Sequence, residues 1–169
     1  DRLIGGSDSD DLIGGNGNDS LLGEAGDDLG RGGKGADFLG GGADDDTLFG
    51  ARGRDEVDGD PGDDDLFGGG GGDVLNGGEG DDALKGGAGW DRLAGEDGRD
   101  TLRGGNGNDT VEGGGGDDLI VGGKGRDYLT DDVNALTDIV YPGAFDDTLI
   151  GGKGRDTFAI FAGQDELKL

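Results

Sequence analysis

An aspartate stands at every ninth residue through most of this chain: Asp10, Asp19, Asp28, Asp37, Asp46, Asp55, Asp64, Asp73, Asp82, Asp91, Asp100, Asp109, Asp118 and Asp127. Asp156 falls in a later match to the same pattern, Gly151 to Ala159 (GGKGRDTFA). Each aspartate follows a glycine-rich stretch, as in Gly14-Gly15-Asn16-Gly17-Asn18-Asp19. Glycine lets a turn take positive φ angles and brings bare carbonyl oxygens together. A carboxylate set among such carbonyls makes an all-oxygen cage for a hard cation, and its flexible geometry suits calcium better than magnesium. The predicted carbonyl donors are Gly15 and Gly17, Gly33 and Gly35, Gly69 and Gly71, Gly78 and Gly80, Gly87 and Gly89, Gly105 and Gly107, Gly114 and Gly116, and Gly123 and Gly125.

Other chemistries are excluded by composition. Without histidine there is no imidazole base, no His-based triad and no HExxH zinc site. Without cysteine there is no thiolate ligand, thiol nucleophile or disulfide framework. The glycine-rich turns contain no GxxxxGK[ST] phosphate loop, and the EF-hand pattern with its terminal glutamate is missing. Adjacent carboxylates carry no glycosidase signal in a chain with 40 acids. The sequons at Asn18 and Asn108 are by-products of the repeat, and Trp90 reads as an exposed repeat variant. A net charge of −26, from 40 acidic and 14 basic residues, repels nucleic acid and anionic membranes and favours multivalent cations. No run of apolar residues is long enough to span a bilayer. No enzyme activity is expected within these residues.

The elements that must position the aspartates follow from the period. Gly5 to Thr130 divides without insertion into fourteen nine-residue units. Position one is always glycine and position six always aspartate; position four is glycine except at Asp8 and Asp44, and position eight is Leu, Val or Ile except at Gly30. The last three residues of a unit alternate as a short three-residue strand, with position eight inward and positions seven and nine outward. Two nine-residue units then make one flattened coil, with two parallel sheets sharing a thin core: Leu3, Leu12, Leu21, Leu39, Leu48, Val57, Leu66, Leu75, Leu84, Leu93, Leu102, Val111, Ile120, Leu129, Leu149 and Phe158. Such a core is too small to offset the entropy of ordering the chain, so another source of binding is required. Composition alone, with 46 glycines and Leu, Ile, Val and Phe at about a fifth of the residues, would predict disorder.

Irregularities are expected at named places. Glu24, Ala51, Asp60 and Glu96 replace glycine at position two and are predicted to strain their turns, and Gly30 leaves the third unit without an interior side chain. Residues 1–130 form the regular roll. The phase breaks at Asp131 and Asp132, residues 131–150 read as degenerate repeats continuing the roll, and residues 151–169 hold the last regular repeat and a C-terminal cap. Asp1 to Ile4 match the second half of a preceding unit, which predicts truncation there. Outward Ile13, Leu29, Phe49, Phe67, Leu119 and Val121 all belong to odd units; they read as scattered surface apolar residues, with a face for a neighbouring domain or for self-association as the alternative.

The repeat GGxGxDxUx, with U a large apolar residue, resembles the RTX (repeats-in-toxin) calcium-binding nonapeptide family. That resemblance implies an all-β, right-handed parallel β-roll solenoid, with each calcium ion between turns stacked one coil apart, held by turn carbonyls and position-six carboxylates. Stacking fourteen turns this way gives twelve sites, so about twelve Ca2+ ions would carry a charge close to that of the protein with the opposite sign. It also implies an extracellular module of a larger secreted bacterial protein, kept unfolded where calcium is scarce, exported by type I secretion and folded outside. A segment of an adhesin or surface layer, a carbohydrate-binding module, and the repeat region of a protease, lipase or epimerase are the alternatives.

Overall fold

A computed structural model describes residues 1–116 and 118–130 in full, together with the backbone of short strands at 148–150, 153–154, 157–159 and 166–168. Every element is a β-strand. Arg2–Gly6, Ser20–Ala25 and Phe38–Ala43 begin one parallel sheet, and Asp11–Asn16, Leu29–Lys34 and Thr47–Arg52 begin the other. Successive strands alternate between the sheets, so each strand pairs with the strand two units away and two units complete one coil. We refer to the odd and even sheets by the units whose apolar residues they carry.

The alternating triplet predicted at the end of each unit is present in every regular strand, but the ladder runs further. Ala83, Leu84 and Lys85 pair with Thr101, Leu102 and Arg103, then Gly87 and Ala88 pair with Gly105 and Asn106. The pairing thus continues into positions two and three of the next turn and skips its first glycine. Positive φ at position two lets the chain bend there toward the opposite sheet.

Position eight faces inward throughout. Leu21, Leu39, Val57, Leu75, Leu93, Val111 and Leu129 stack along the even sheet and meet Leu48, Leu66, Leu84, Leu102 and Ile120 of the odd sheet, all of them buried. Leu12 closes the stack and Leu3 packs partly against it. At Gly30, where the side chain is missing, the Leu48 and Leu39 methyls stand 2.8 and 3.5 Å from where a Cβ would be. The side chains of Leu149 and Phe158 lie outside the described residues, although the backbone register sets Leu149 beside Ile120 and Phe158 beside Leu129.

Beyond Thr130 the step lengthens. Leu119 pairs with Thr148 and Tyr128 with Thr157, in place of partners two units away. Glu166–Lys168 then pairs with Thr148–Ile150 at the regular spacing, adding the end strand of the odd sheet. The division of residues 131–150 into two degenerate units falls outside the described residues.

Candidate metal centre

Among the described residues, the position-six aspartates from Asp19 on are the most deeply placed charges. From Asp19 to Asp127 each is at most 5% exposed. One carboxylate oxygen ties successive coils together: the Asp64 N–H donates to Oδ1 of Asp82 at 2.8 Å, the Asp82 N–H to Oδ1 of Asp100 at 2.8 Å, and so on from Asp10 through Asp127. The Asp64 carbonyl in turn accepts from the Ala83 N–H at 2.8 Å. The aspartate therefore knits its coil to the next on both sides.

The other oxygen has no such role. Oδ2 of Asp19, Asp28, Asp37, Asp46, Asp55, Asp64, Asp73, Asp82, Asp91, Asp100 and Asp109 is buried without a hydrogen-bond partner. A buried polar atom left this way is costly, and a buried carboxylate more so. The pKa values register the strain. Burial pushes the Asp64 and Asp82 carboxyls up to about 7, and those of Asp46, Asp73, Asp100 and Asp109 up to about 6. Their backbone hydrogen bonds offset only part of this, and the neighbouring aspartates one coil away add to it. Asp28, Asp55 and Asp91 are raised for the same first reason. Each orphaned oxygen calls for a proton or a cation.

The glycine at position one shows what shares the space. A Cβ on Gly86 would sit 2.7 Å from Oδ2 of Asp91 and 2.8 Å from the carbonyl oxygen of Gly104, one coil on; Gly68 and Gly104 show the same pair of contacts. Two oxygens from successive turns thus converge on a spot that any side chain would fill. Here sequence reasoning assigned the right residue for the wrong reason. Position one does not have positive φ; glycine is required because of this close approach. Positive φ belongs to position two in every regular turn, including Glu24 (83°), Ala51 (82°), Asp60 (67°) and Glu96 (77°), so the strain anticipated at those four residues is present. Position four follows the same rule at most turns, and Asp44 (82°) obeys it whereas Asp8 does not.

The predicted carbonyl donors are placed along the same stack. A Cβ on Gly33 would meet the Gly15 carbonyl oxygen, and one on Gly35 that of Gly17. The same holds for Gly87 over Gly69, Gly89 over Gly71, Gly105 over Gly87, Gly107 over Gly89, Gly123 over Gly105 and Gly125 over Gly107. On the other edge, Gly78 and Gly80 lie over Asp60 and Gly62, and Gly114 and Gly116 over Glu96 and Gly98. Nowhere among the described residues do three Asp or Glu side chains converge as a metal cluster. Each turn buries a single carboxylate, so a cation held at that depth between turns must draw its other protein ligands from the backbone. This donor set suits a hard cation. Asp156 lies outside the described residues.

The outward apolar residues of the odd sheet form a separate feature. Phe49 and Phe67 stack with centroids 4.7 Å apart, Arg31 lies over Phe49, and Ile13, Arg31, Phe49 and Ala51 line a shallow cavity of about 440 Å³. Among the described residues no helix is long and apolar enough to cross a membrane.

Comparison with known proteins agrees with this geometry. No curated protein matches the sequence. The RTX calcium-binding nonapeptide repeat matches residues 1–39, 40–75, 67–102, 94–129 and 134–159. With the match covering nearly the whole length, and each turn placing its aspartate and glycines in one repeated arrangement, the chain belongs to the RTX calcium-binding nonapeptide repeat family.

Proposed function

We propose that this chain is a calcium-dependent folding module, disordered where calcium is scarce and ordered where the turns are filled. The observation that carries this reading is the row of buried Oδ2 atoms without partners from Asp19 to Asp109. In such a thin roll, these ionised oxygens oppose the fold unless a cation sits among them. The ligands would be the position-six aspartates from Asp10 to Asp127, the matching Asp156, and the carbonyls of the paired glycines from Gly15 and Gly17 to Gly123 and Gly125. Bound calcium supplies neutralising charge and a cross-link between successive coils. Twelve stacked turn pairs correspond to about twelve ions, which would reduce a net charge of −26 almost to zero.

The same reading places the chain outside the cell, as one region of a longer secreted protein. Extracellular calcium modules bind with dissociation constants of about 10⁻⁴ to 10⁻³ M, which leaves such a chain empty in cytosol and filled outside. Passage through a type I channel as an unfolded chain, with folding on exit, fits that difference. Catalysis, where the longer protein has any, would reside in another region. Circular dichroism during calcium titration tests the proposal. At pH 8 strand signal should rise cooperatively with calcium and vanish in excess chelator, and full strand signal persisting in chelator at that pH would refute it.

A further inference from the structure

The flattened coil has two edges, one built from the turns of odd units and one from those of even units, and their surface charges are opposite. Leaving aside the buried position-six aspartates, three successive odd turns expose Glu24, Asp27, Asp44, Asp45, Asp60 and Asp63, and the next two odd turns each add two more acids. Three of these edge acids, Glu24, Asp60 and Glu96, occupy position two in left-handed backbone, where glycine would be unstrained. The same surface positions of the even turns hold no acid; they expose Lys34, Arg52, Arg54, Lys124 and Arg126. The described ion pairs of this chain, such as Arg99–Asp81 and Arg92–Glu112, engage none of these five.

Shape reinforces the charge pattern. Trp90, the sole tryptophan, projects from the middle of the basic edge and is 74% exposed. At the same height on the acidic edge, Asp58, Asp60, Pro61, Glu79, Glu96 and Asp97 line a cavity of about 630 Å³. Turns on either edge are stacked about 4.8 Å apart, so two rolls laid side by side with parallel axes bring Trp90 of one opposite this cavity of the other. Arg54, two coils away, then faces Asp44, Asp45, Asp60 and Asp63.

We propose that the roll associates laterally with a second copy of itself, basic edge to acidic edge, with Trp90 seated in the acidic cavity against Pro61. The contact is heterologous, so a pair retains one free edge of each kind and rows can extend without closing. An exposed aromatic amid complementary charge is the usual anchor of an interface. This inference rests on the calcium-loaded reading, because a charge of −26 on each copy drives the copies apart until the buried aspartates are neutralised.

Sedimentation velocity and tryptophan emission, measured on the calcium-loaded chain with circular dichroism on the same sample, test it. With rising concentration in 50 mM NaCl, the sedimentation coefficient should grow and the emission shift to the blue. In 500 mM NaCl the association should weaken about tenfold, because screening removes charge attraction between exposed groups. One variant carries Glu79→Lys and Asp97→Lys, and a second carries Arg52→Ala, Arg54→Ala and Trp90→Gly; the repeat already accepts each new residue at that turn position, as at Lys34, Ala43, Ala36 and Gly72. Each variant alone should be folded and monomeric. Mixed, they should stop at a one-to-one pair whose only tryptophan is blue-shifted. A folded chain that stays monomeric in 50 mM NaCl, or association that survives either set of changes, would overturn the proposal. A chain that calcium fails to fold would overturn the function proposed above and this contact with it.

Discussion

Acid is expected to fold this chain in place of calcium. Oδ2 of Asp64 and Asp82 is buried without a partner, and both carboxyls are pushed up to about 7. Asp46, Asp73, Asp100 and Asp109 are pushed up to about 6, against 3.8 for an ordinary aspartate. A raised carboxyl binds its proton more tightly in the folded chain than in the unfolded one. Between pH 3.8 and about 7 the folded state therefore holds more protons, and the stability of the metal-free roll falls as pH rises through that window. At face value each of the six ionised carboxylates costs the fold about 3 to 4 kcal/mol. The turns lie at the edge of a thin molecule with water one turn away, so half of that is the better figure. Six such groups then amount to about 10 kcal/mol, comparable to the whole stability of a small domain. Circular dichroism in chelator, scanned from pH 8 to pH 4.5 at low protein concentration with sedimentation to exclude aggregates, reads the effect. Strand signal should be absent at pH 8 and appear below about pH 6. Calcium affinity should fall over the same range, as protons take the oxygens that the ion needs. A metal-free chain equally ordered at both ends of the scan, or disordered throughout, would show that the buried carboxylates do not control folding.

Substitutions separate the parts of the turn. Asp73→Ala or Asp91→Ala should move the calcium midpoint of folding to higher concentration, whereas Arg92→Ala, an exposed change that loses only a 3.6 Å contact with Glu112, should alter stability by less than about 0.5 kcal/mol; equal midpoints for all three would mean that the turn is misassigned. Gly86→Ala forces a methyl between Oδ2 of Asp91 and the Gly104 carbonyl and should cost about 1 to 3 kcal/mol, while Gly30→Ala meets only the mobile end of Leu48 and should be neutral or stabilising by up to about 1 kcal/mol, both read by thermal melts in saturating calcium. Glu96→Gly relieves a φ of 77° and should raise stability by about 1 kcal/mol in the same melts.

Much of this molecule was legible from its period. Position eight identified the buried row from Leu12 to Leu129, and the count of nine placed alternate units on opposite sheets, because side-chain alternation and a fixed repeat leave few alternatives. Proximity in space was harder to read. Nothing local distinguishes the invariant glycine at position one from the glycine at position two. The first is demanded by a carbonyl one coil on and by the aspartate carboxylate of its own turn, the second by its own φ. The split of Asp between an Oδ1 that accepts the N–H of the preceding coil and an Oδ2 that accepts nothing also depends on stacking. The missing side chain at Gly30 was legible, but only packing shows that Leu48 and Leu39 stand beside that position.

These features converge on one device. The aspartate needs its Oδ1 bond to align successive coils, and that bond carries the rest of the carboxylate inside the turn, away from water. Position one must then be glycine, because the carboxylate and the next coil's carbonyl occupy the space that a side chain would take. An asparagine would make the same coil-to-coil bond without the buried charge, and every regular unit nevertheless has aspartate. If stacking alone were the requirement, the charge would be a pure liability repeated fourteen times. Its repetition makes physical sense when the folded state is meant to be unstable until a cation or a proton arrives. On the function proposed above, the switch is built into the repeat itself, and each coil added to the roll adds its own share of it.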